Sequence, residues 1–229
     1  MDRISQLFDQ YDIFGAFGTT IKLTALAAVG SLIIGTVVAV MRVSPVRVLQ
    51  VIGAGYVNVV RNTPLTVVMV FSQLGLFTQL GFAVANKSSP TFVTDNNFRL
   101  AVLSLAVYHA SFAAEALRSG VNTVPLGQAE AARAIGLPFL KTLRYVVLPQ
   151  AFRGAIAPLA NVLIALTKNS TVASVIGVAD TSLLMKEMIE NESDVLFLVF
   201  GIFAFGFVII ILPVGILLTA LSRRLAVQR

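Results

Sequence analysis

Four ionisable residues stand inside or beside otherwise apolar runs of this sequence: Lys22, Arg61, Glu115 and Lys168. Charged side chains at membrane depth cost about 2.5–3.5 kcal/mol each on insertion scales, so those that persist usually face a bundle interior or a water-filled path. Three of the four are cationic, a balance suited to an anionic small molecule. Arg61 can hold a carboxylate through two parallel hydrogen bonds, whereas Lys168 offers a point charge. Asn62 and Thr63 follow Arg61, and Asn169 and Ser170 follow Lys168, adding neutral donors and acceptors. The same residues can instead serve structural ends. Lys22 and Arg61 can snorkel to an interface, and Glu115 can pair with Arg118, three residues on along a helix, or with Lys168. The single His, His109, reads as a packed helix residue. Without Cys there is no thiolate or disulfide chemistry. No catalytic pair is found, no metal cluster is expected, and no G-x-x-x-x-G-K-[ST] phosphate loop occurs.

The elements that position these residues follow from composition. Only 12% of the 229 residues are charged, about half of the roughly 25% usual in soluble domains, and 57% are apolar. Mean hydropathy is +0.87. This composition excludes disorder, which needs low hydrophobicity and high charge. The net charge of +6 is spread too thinly for a nucleic-acid partner. An all-α integral membrane protein with the lipid bilayer as a partner is expected, since a helix crosses a bilayer in about 20 apolar residues. Uncharged runs and their flanks predict five spans, about 16–41, 57–85, 99–118, 153–178 and 195–222, in a single domain covering 1–229. The fourth is interrupted by the polar run 168–171. The first dozen residues lack the order of a leader peptide and are expected to form a short interfacial helix. No internal repeat supports an inverted-repeat transporter. With the C-terminus cytoplasmic and the N-terminus outside, 11 of the 17 Lys and Arg face inward, including Arg223, Arg224 and Arg229, and the basic bias favours that orientation. Gly30, Gly35, Gly201, Gly206 and Gly215 are read as positions of tight helix packing.

Residues 119–150 connect the third and fourth spans, and a connection that long usually has structure of its own. The Ala-rich stretch 128–135 favours helix. Gly136 and Pro138 then supply a stop signal, and a second short helix is expected over 139–147. The pattern Glu130-Ala131-Ala132, Gly136 six residues after the Glu, and Leu148-Pro149 resembles the EAA motif of membrane subunits of binding-protein-dependent ATP-driven importers. Val146 stands where that family usually has Ile. Arg61-Asn62-Thr63-Pro64, residues 108–128 and residues 166–171 resemble the permeases of polar amino-acid importers, and residues 95–103 are most similar to glutamate-importer permeases of actinobacteria.

The resemblance implies a type I ABC importer permease fold in a bacterial cytoplasmic membrane. It implies a coupling helix, carrying Gln128, Glu130, Ala131, Ala132, Arg133 and Gly136, that docks in a groove of a separate ATPase. The charged and polar residues at membrane depth make Arg61, Asn62, Thr63, Glu115, Lys168 and Asn169 the expected substrate path, although only some permeases of such a family carry an internal amino-acid site. The implied partners are ABC ATPase subunits that use ATP and Mg, a second permease identical or homologous to this one, an extracytoplasmic substrate-binding protein and an amino acid. Glutamate is favoured, with aspartate or glutamine as alternatives. This chain would then bind no cofactor of its own. The competing expectation is an ion-coupled secondary transporter acting alone, which accounts for the buried charges but not for the loop.

Overall fold

The structure is a computed structural model describing residues 2–225. Arg229 and the side chain of Arg223, both counted in the orientation above, lie outside that description. Among the described residues there are helices and no strands. In chain order they are α1 (Asp2–Gln10), α2 (Ile13–Val43), α3 (Arg47–Arg61), α4 (Leu65–Val70, widening to a π-helix over Phe71–Gln79) and α5 (Phe92–Val121). Then follow α6 (Leu126–Ala134), α7 (Phe139–Thr142, with a π turn over Leu143–Val147), α8 (Leu148–Asn169, tightening to a 3-10 helix over Ser170–Ile176), α9 (Thr181–Asn191) and α10 (Leu196–Leu225).

Four segments are long and apolar enough to cross a membrane: Ile13–Val43, Phe92–Val121, Phe139–Ile176 and Ser193–Ala220. The expected span 57–85 is not one continuous helix. Its chain leaves α3 at Arg61 and re-enters helix at Leu65, with Pro64 at the cap. Pro has no N–H to donate to the preceding turn and disfavours helical geometry in the residue before it. The apolar stretch Leu65–Gln79 that remains has 15 residues. At about 1.5 Å per residue it reaches roughly 22 Å, short of the ~30 Å hydrocarbon core.

The chain divides into two compact units. The first comprises Met1–Val29, Thr63–Ala106 and Leu166–Leu212. Its core joins Leu7 and Tyr11, four residues apart on and just after α1, to Ile13 at the start of α2, Met188 of α9, and Val199 and Phe203 of α10. Side chains four apart share a helix face, so α1 buries one stripe and leaves Ile4 and Phe8 on the surface. Gly206 lies against Phe17, where a Cβ would come within 2.1 Å of the ring. A buried hydroxyl pair, Thr20 Oγ1 and Thr181 Oγ1 at 3.0 Å, fastens α2 to α9. The connection after α4 is pinned to α5 by Asn96, whose Oδ1 accepts from the backbone of Val84 at 2.8 Å, and by Arg99, which donates to the Val84 carbonyl at 2.8 Å.

The second unit comprises Gly30–Asn62, Val107–Ala165 and Pro213–Arg229. Small residues set its packing: Ala39, Ala114 and Ala155 are buried with Val38, Val57 and Leu117. Gly35 meets α5 so closely that a Cβ would stand 2.7 Å from that of Ala113. Gly35 and Gly206 therefore act as the expected close-packing positions. Gly201 does not, since a Cβ there would meet nothing within 4 Å. Tyr56 donates its hydroxyl to the Val107 carbonyl, tying α3 to α5.

Candidate functional site

The connection 119–150 folds as a helical hairpin within the second unit. Pro125 caps α6, where its missing N–H is no loss. The exit is a Schellman turn. Gly136 has φ +89°, its N–H bonds the Arg133 carbonyl at 2.9 Å, and the Leu137 N–H bonds the Ala132 carbonyl at 3.1 Å. Pro138 caps α7, and Thr142 Oγ1 donates back to the Leu137 carbonyl at 3.2 Å. Gln128 joins the second arm through a hydrogen bond from Gln150 Nε2. Ala132 is buried, while Glu130, Ala131, Arg133 and Gly136 are exposed. Leu126, Ile135, Leu140 and Tyr145 are each more than 60% exposed. A hairpin held rigid from within, with charged and large apolar side chains turned outward, is suited to protein contact. Beneath it lies a cavity of about 420 Å³ lined by Ser44, Pro45, Gln50, Arg133 and Phe139 among others.

The six expected pathway residues divide between the units. Arg61, Asn62 and Glu115 belong to the second. Arg61 is exposed at the end of α3, its guanidinium 5.1 Å from the centre of the Phe112 ring, in range for a cation–π contact. Asn62 is exposed and donates to the Asn58 carbonyl at 2.7 Å. Glu115 is half-buried and makes two ion pairs, one to Arg42 and one to Arg118 at 3.5 Å. The Arg118 pair is the expected one. Arg42, 73 residues away in sequence, was not singled out by its own spacing. His109 is buried against Tyr108 and Phe112, in keeping with a packed residue.

Thr63, Lys168 and Asn169 belong to the first unit. Lys168 is exposed in the last turn of α8, and Asn169 is half-buried. After them the helix tightens. Thr171 Oγ1 donates to the Lys168 carbonyl at 2.8 Å, Ser170 Oγ to that of Thr167 at 2.7 Å, and Ser174 Oγ to that of Thr171 at 2.8 Å. Three hydroxyls bonding three residues back compete with the α-helical ladder and favour the 3-10 pitch seen here. The tightened segment packs against α4, the helix that begins just after Thr63 and Pro64. The two polar interruptions thus lead into neighbouring segments of one unit.

Asp180 is a further residue of interest that sequence reasoning passed over. It is fully buried and caps α9, with Oδ1 accepting from Ser182 and Leu183 N–H at 3.1 and 3.0 Å. Its Oδ2 is buried with no hydrogen-bond partner in the structure. Burial pushes its carboxyl up to about 6, against the lowering effect of those N–H groups and of Lys186. The folded state holds the proton more tightly than the unfolded chain, so the favourable contribution is complete below the ordinary carboxyl value of 3.8. It is lost as pH rises through about 6. Asp180→Asn keeps a capping oxygen and removes the charge, so its melting temperature in detergent should exceed wild type at pH 8. The gain should vanish near pH 4. Asp180→Ala, which also loses the cap, should fall below the Asn variant by about 1 kcal/mol. An Asn variant less stable than wild type at pH 8 would contradict this account.

Several helices long and apolar enough to cross a membrane, polar breaks within apolar segments and an exposed helical hairpin define a multi-pass helical membrane protein. The chain belongs to the family of binding-protein-dependent transport system inner membrane components, whose model matches residues 31–227. It is 56% identical to a glutamate transport system permease protein of Corynebacterium glutamicum over 214 residues, covering 93% of this chain and 94% of that one. It is 34% identical to an L-cystine transport system permease protein of Bacillus subtilis over 92% of this chain and 85% of the relative. Among solved structures it is similar to a chain of an amino acid ABC transporter crystallised with histidines. The TM-score is 0.79 and the identity 29%, with 96% of this chain and 97% of that chain covered.

Proposed function

We propose that this chain is the permease subunit of an ATP-driven importer of a polar, acidic amino acid, with glutamate as the favoured substrate. The observation that carries the substrate is the 56% identity, over nearly the whole of both chains, to a glutamate transport permease. The hairpin supports the coupling role. Glu130 and Arg133 offer charge, Ala131 allows close approach, and exposed Leu126, Ile135 and Leu140 offer apolar surface to an ATPase groove. In this reading α4 with its π extension completes five spans by pairing its short apolar stretch with neighbouring protein. The whole chain acts as one permease domain, the C-terminus is cytoplasmic and the N-terminus outside. A second permease, identical or homologous, completes the pathway. Two ATPase subunits using ATP and Mg and an extracytoplasmic binding protein complete the importer, and the chain itself holds no cofactor. Arg61 with Asn62 in the second unit, and Lys168 with Asn169 and Thr63 in the first, each offer the moving substrate a cation and neutral polar groups along its path.

The test is reconstitution of the assembled complex in proteoliposomes with its binding protein. Uptake of labelled L-glutamate should require ATP and be competed by aspartate more strongly than by glutamine. Gradient-driven uptake by the isolated chain without ATP would overturn the proposal in favour of a secondary transporter.

A further inference from the structure

Glu115 is surrounded by more positive charge than a structural ion pair requires. Guanidinium groups from three helices act on its one carboxylate: Arg42 of α2, Arg118 of α5 and, at longer range, Arg61 of α3. All four residues belong to the second unit. Arg42 is the more enclosed partner, its side chain 14% exposed. Arg118 is only loosely engaged, with Nη2 3.5 Å from the carboxylate, and its Nε is buried with no hydrogen-bond partner in the structure. Arg61 lies over Phe112, one turn before Glu115 on the same face of α5. Three cations and one anion, with a buried Arg118 Nε that has no acceptor although that side chain as a whole is 42% exposed, leave positive charge that Glu115 alone does not neutralise. They are well matched as a receptor for a second carboxylate.

We infer that Arg42 and Arg118 form a carboxylate seat in which Glu115 is the resident occupant, exchanged for the side-chain carboxylate of an acidic substrate during transport. The inference rests on the acidic amino acid proposed above. Guanidinium groups suit the role because they bind carboxylates bidentately and stay charged. Exchange of one carboxylate for another leaves the charge of the seat unchanged. It therefore lets substrate enter without stranding an unpaired guanidinium, and lets it leave when Glu115 returns. Glu115 is 26% exposed and Arg42 14%, with the Arg42 stem packed so closely on Gly53 that a Cβ there would stand 2.8 Å from its Cγ, so the carboxylate is the freer of the two. The resident carboxylate weakens substrate binding by competition, which keeps the seat from becoming a trap.

The experiment measures binding of labelled L-glutamate to the detergent-purified complex of permease and ATPase subunits without the binding protein. L-glutamine serves as the neutral comparison. Glu115→Gln should bind glutamate at least tenfold more tightly than wild type, with no comparable gain for glutamine. Arg42→Gln should bind at least tenfold more weakly, and the double variant Arg42→Gln/Glu115→Gln should remain weak. If the pair is merely structural, the neutral double variant recovers wild-type behaviour and Glu115→Gln shows no gain. Either result overturns the seat, as does absence of glutamate binding in both wild type and Glu115→Gln. A gain of affinity cannot arise from misfolding, so a poorly assembled Arg42 variant does not blunt the test. ATP-dependent glutamate uptake by the complete wild-type importer, run in parallel, separates failure of the seat from failure of the substrate assignment.

Discussion

Gly136→Leu is expected to reduce ATP-driven uptake at least tenfold, to background, while the permease still reaches the membrane in normal amount. The reason lies in the Schellman turn that ends α6. At φ +89° an L-residue places its Cβ in conflict with its own backbone, at a cost of about 1–3 kcal/mol. A Cβ at Gly136 would meet no neighbouring atom within 4 Å, so the strain is conformational rather than a clash. Relief comes by unwinding the turn, which breaks the two hydrogen bonds from Gly136 and Leu137 and re-aims α6 relative to α7. At about 1.4 kcal/mol per tenfold, that strain alone lowers the population of the docking geometry by roughly 5- to 150-fold. Leu further adds bulk at an exposed tip that would face the ATPase. A graded series tests this account. Asn, which tolerates positive φ, should retain most uptake; Ala should lose much of it through strain alone; Leu should lose nearly all. Normal uptake by the Leu variant would remove the hairpin from the coupling role. Equal losses for Asn and Leu would point to side-chain identity rather than backbone conformation.

The hairpin was legible because its signals are local. Ala-rich sequence favours helix, Pro125 can start one, and Gly136 before Pro138 can end one; the observed α6 and α7 follow those residues within one or two positions. The short helix at the start, present as α1, and the long apolar segments were legible for the same reason. Local sequence failed where the answer depended on what lies across the packing. Residues 62–86 are uncharged, which suggested a continuous span, yet Pro64 breaks the helix because its missing N–H outweighs hydropathy. Gly201 and Gly206 look alike in sequence, but only Gly206 faces an aromatic ring. The partners of Glu115 show the same limit. Arg118 follows from helical periodicity, while Arg42 depends on the rotation of α2 against α5, which no spacing within either helix encodes. Asp180 is a polar residue before a helix start, a legible cap, but its burial comes from the surrounding first unit and is invisible in the sequence.

Neutralising Arg61 or Lys168 is expected to lower substrate uptake at least tenfold and to lower substrate-free ATPase activity by less. Both side chains are exposed in the chain considered alone, and neither has an acidic partner that would make it a closed structural pair in the described ion pairs. A charge-assisted hydrogen bond to a carboxylate contributes about 1.5–3 kcal/mol, so its loss corresponds to roughly 10- to 150-fold in a step that depends on it. The two positions should differ in their conservative variants. Lys168→Arg keeps the positive charge and should preserve part of the uptake. Arg61→Lys loses the planar fork and the contact over Phe112, so it should resemble Arg61→Gln more closely. A snorkelling role for Arg61 predicts the reverse, because Lys snorkels as well as Arg and would restore uptake. Equal loss of uptake and substrate-free ATPase activity in Arg61→Gln or Lys168→Gln would assign that residue to assembly or coupling. Selective loss of uptake, with Lys failing to replace Arg61, would place a guanidinium on the path of the acidic substrate.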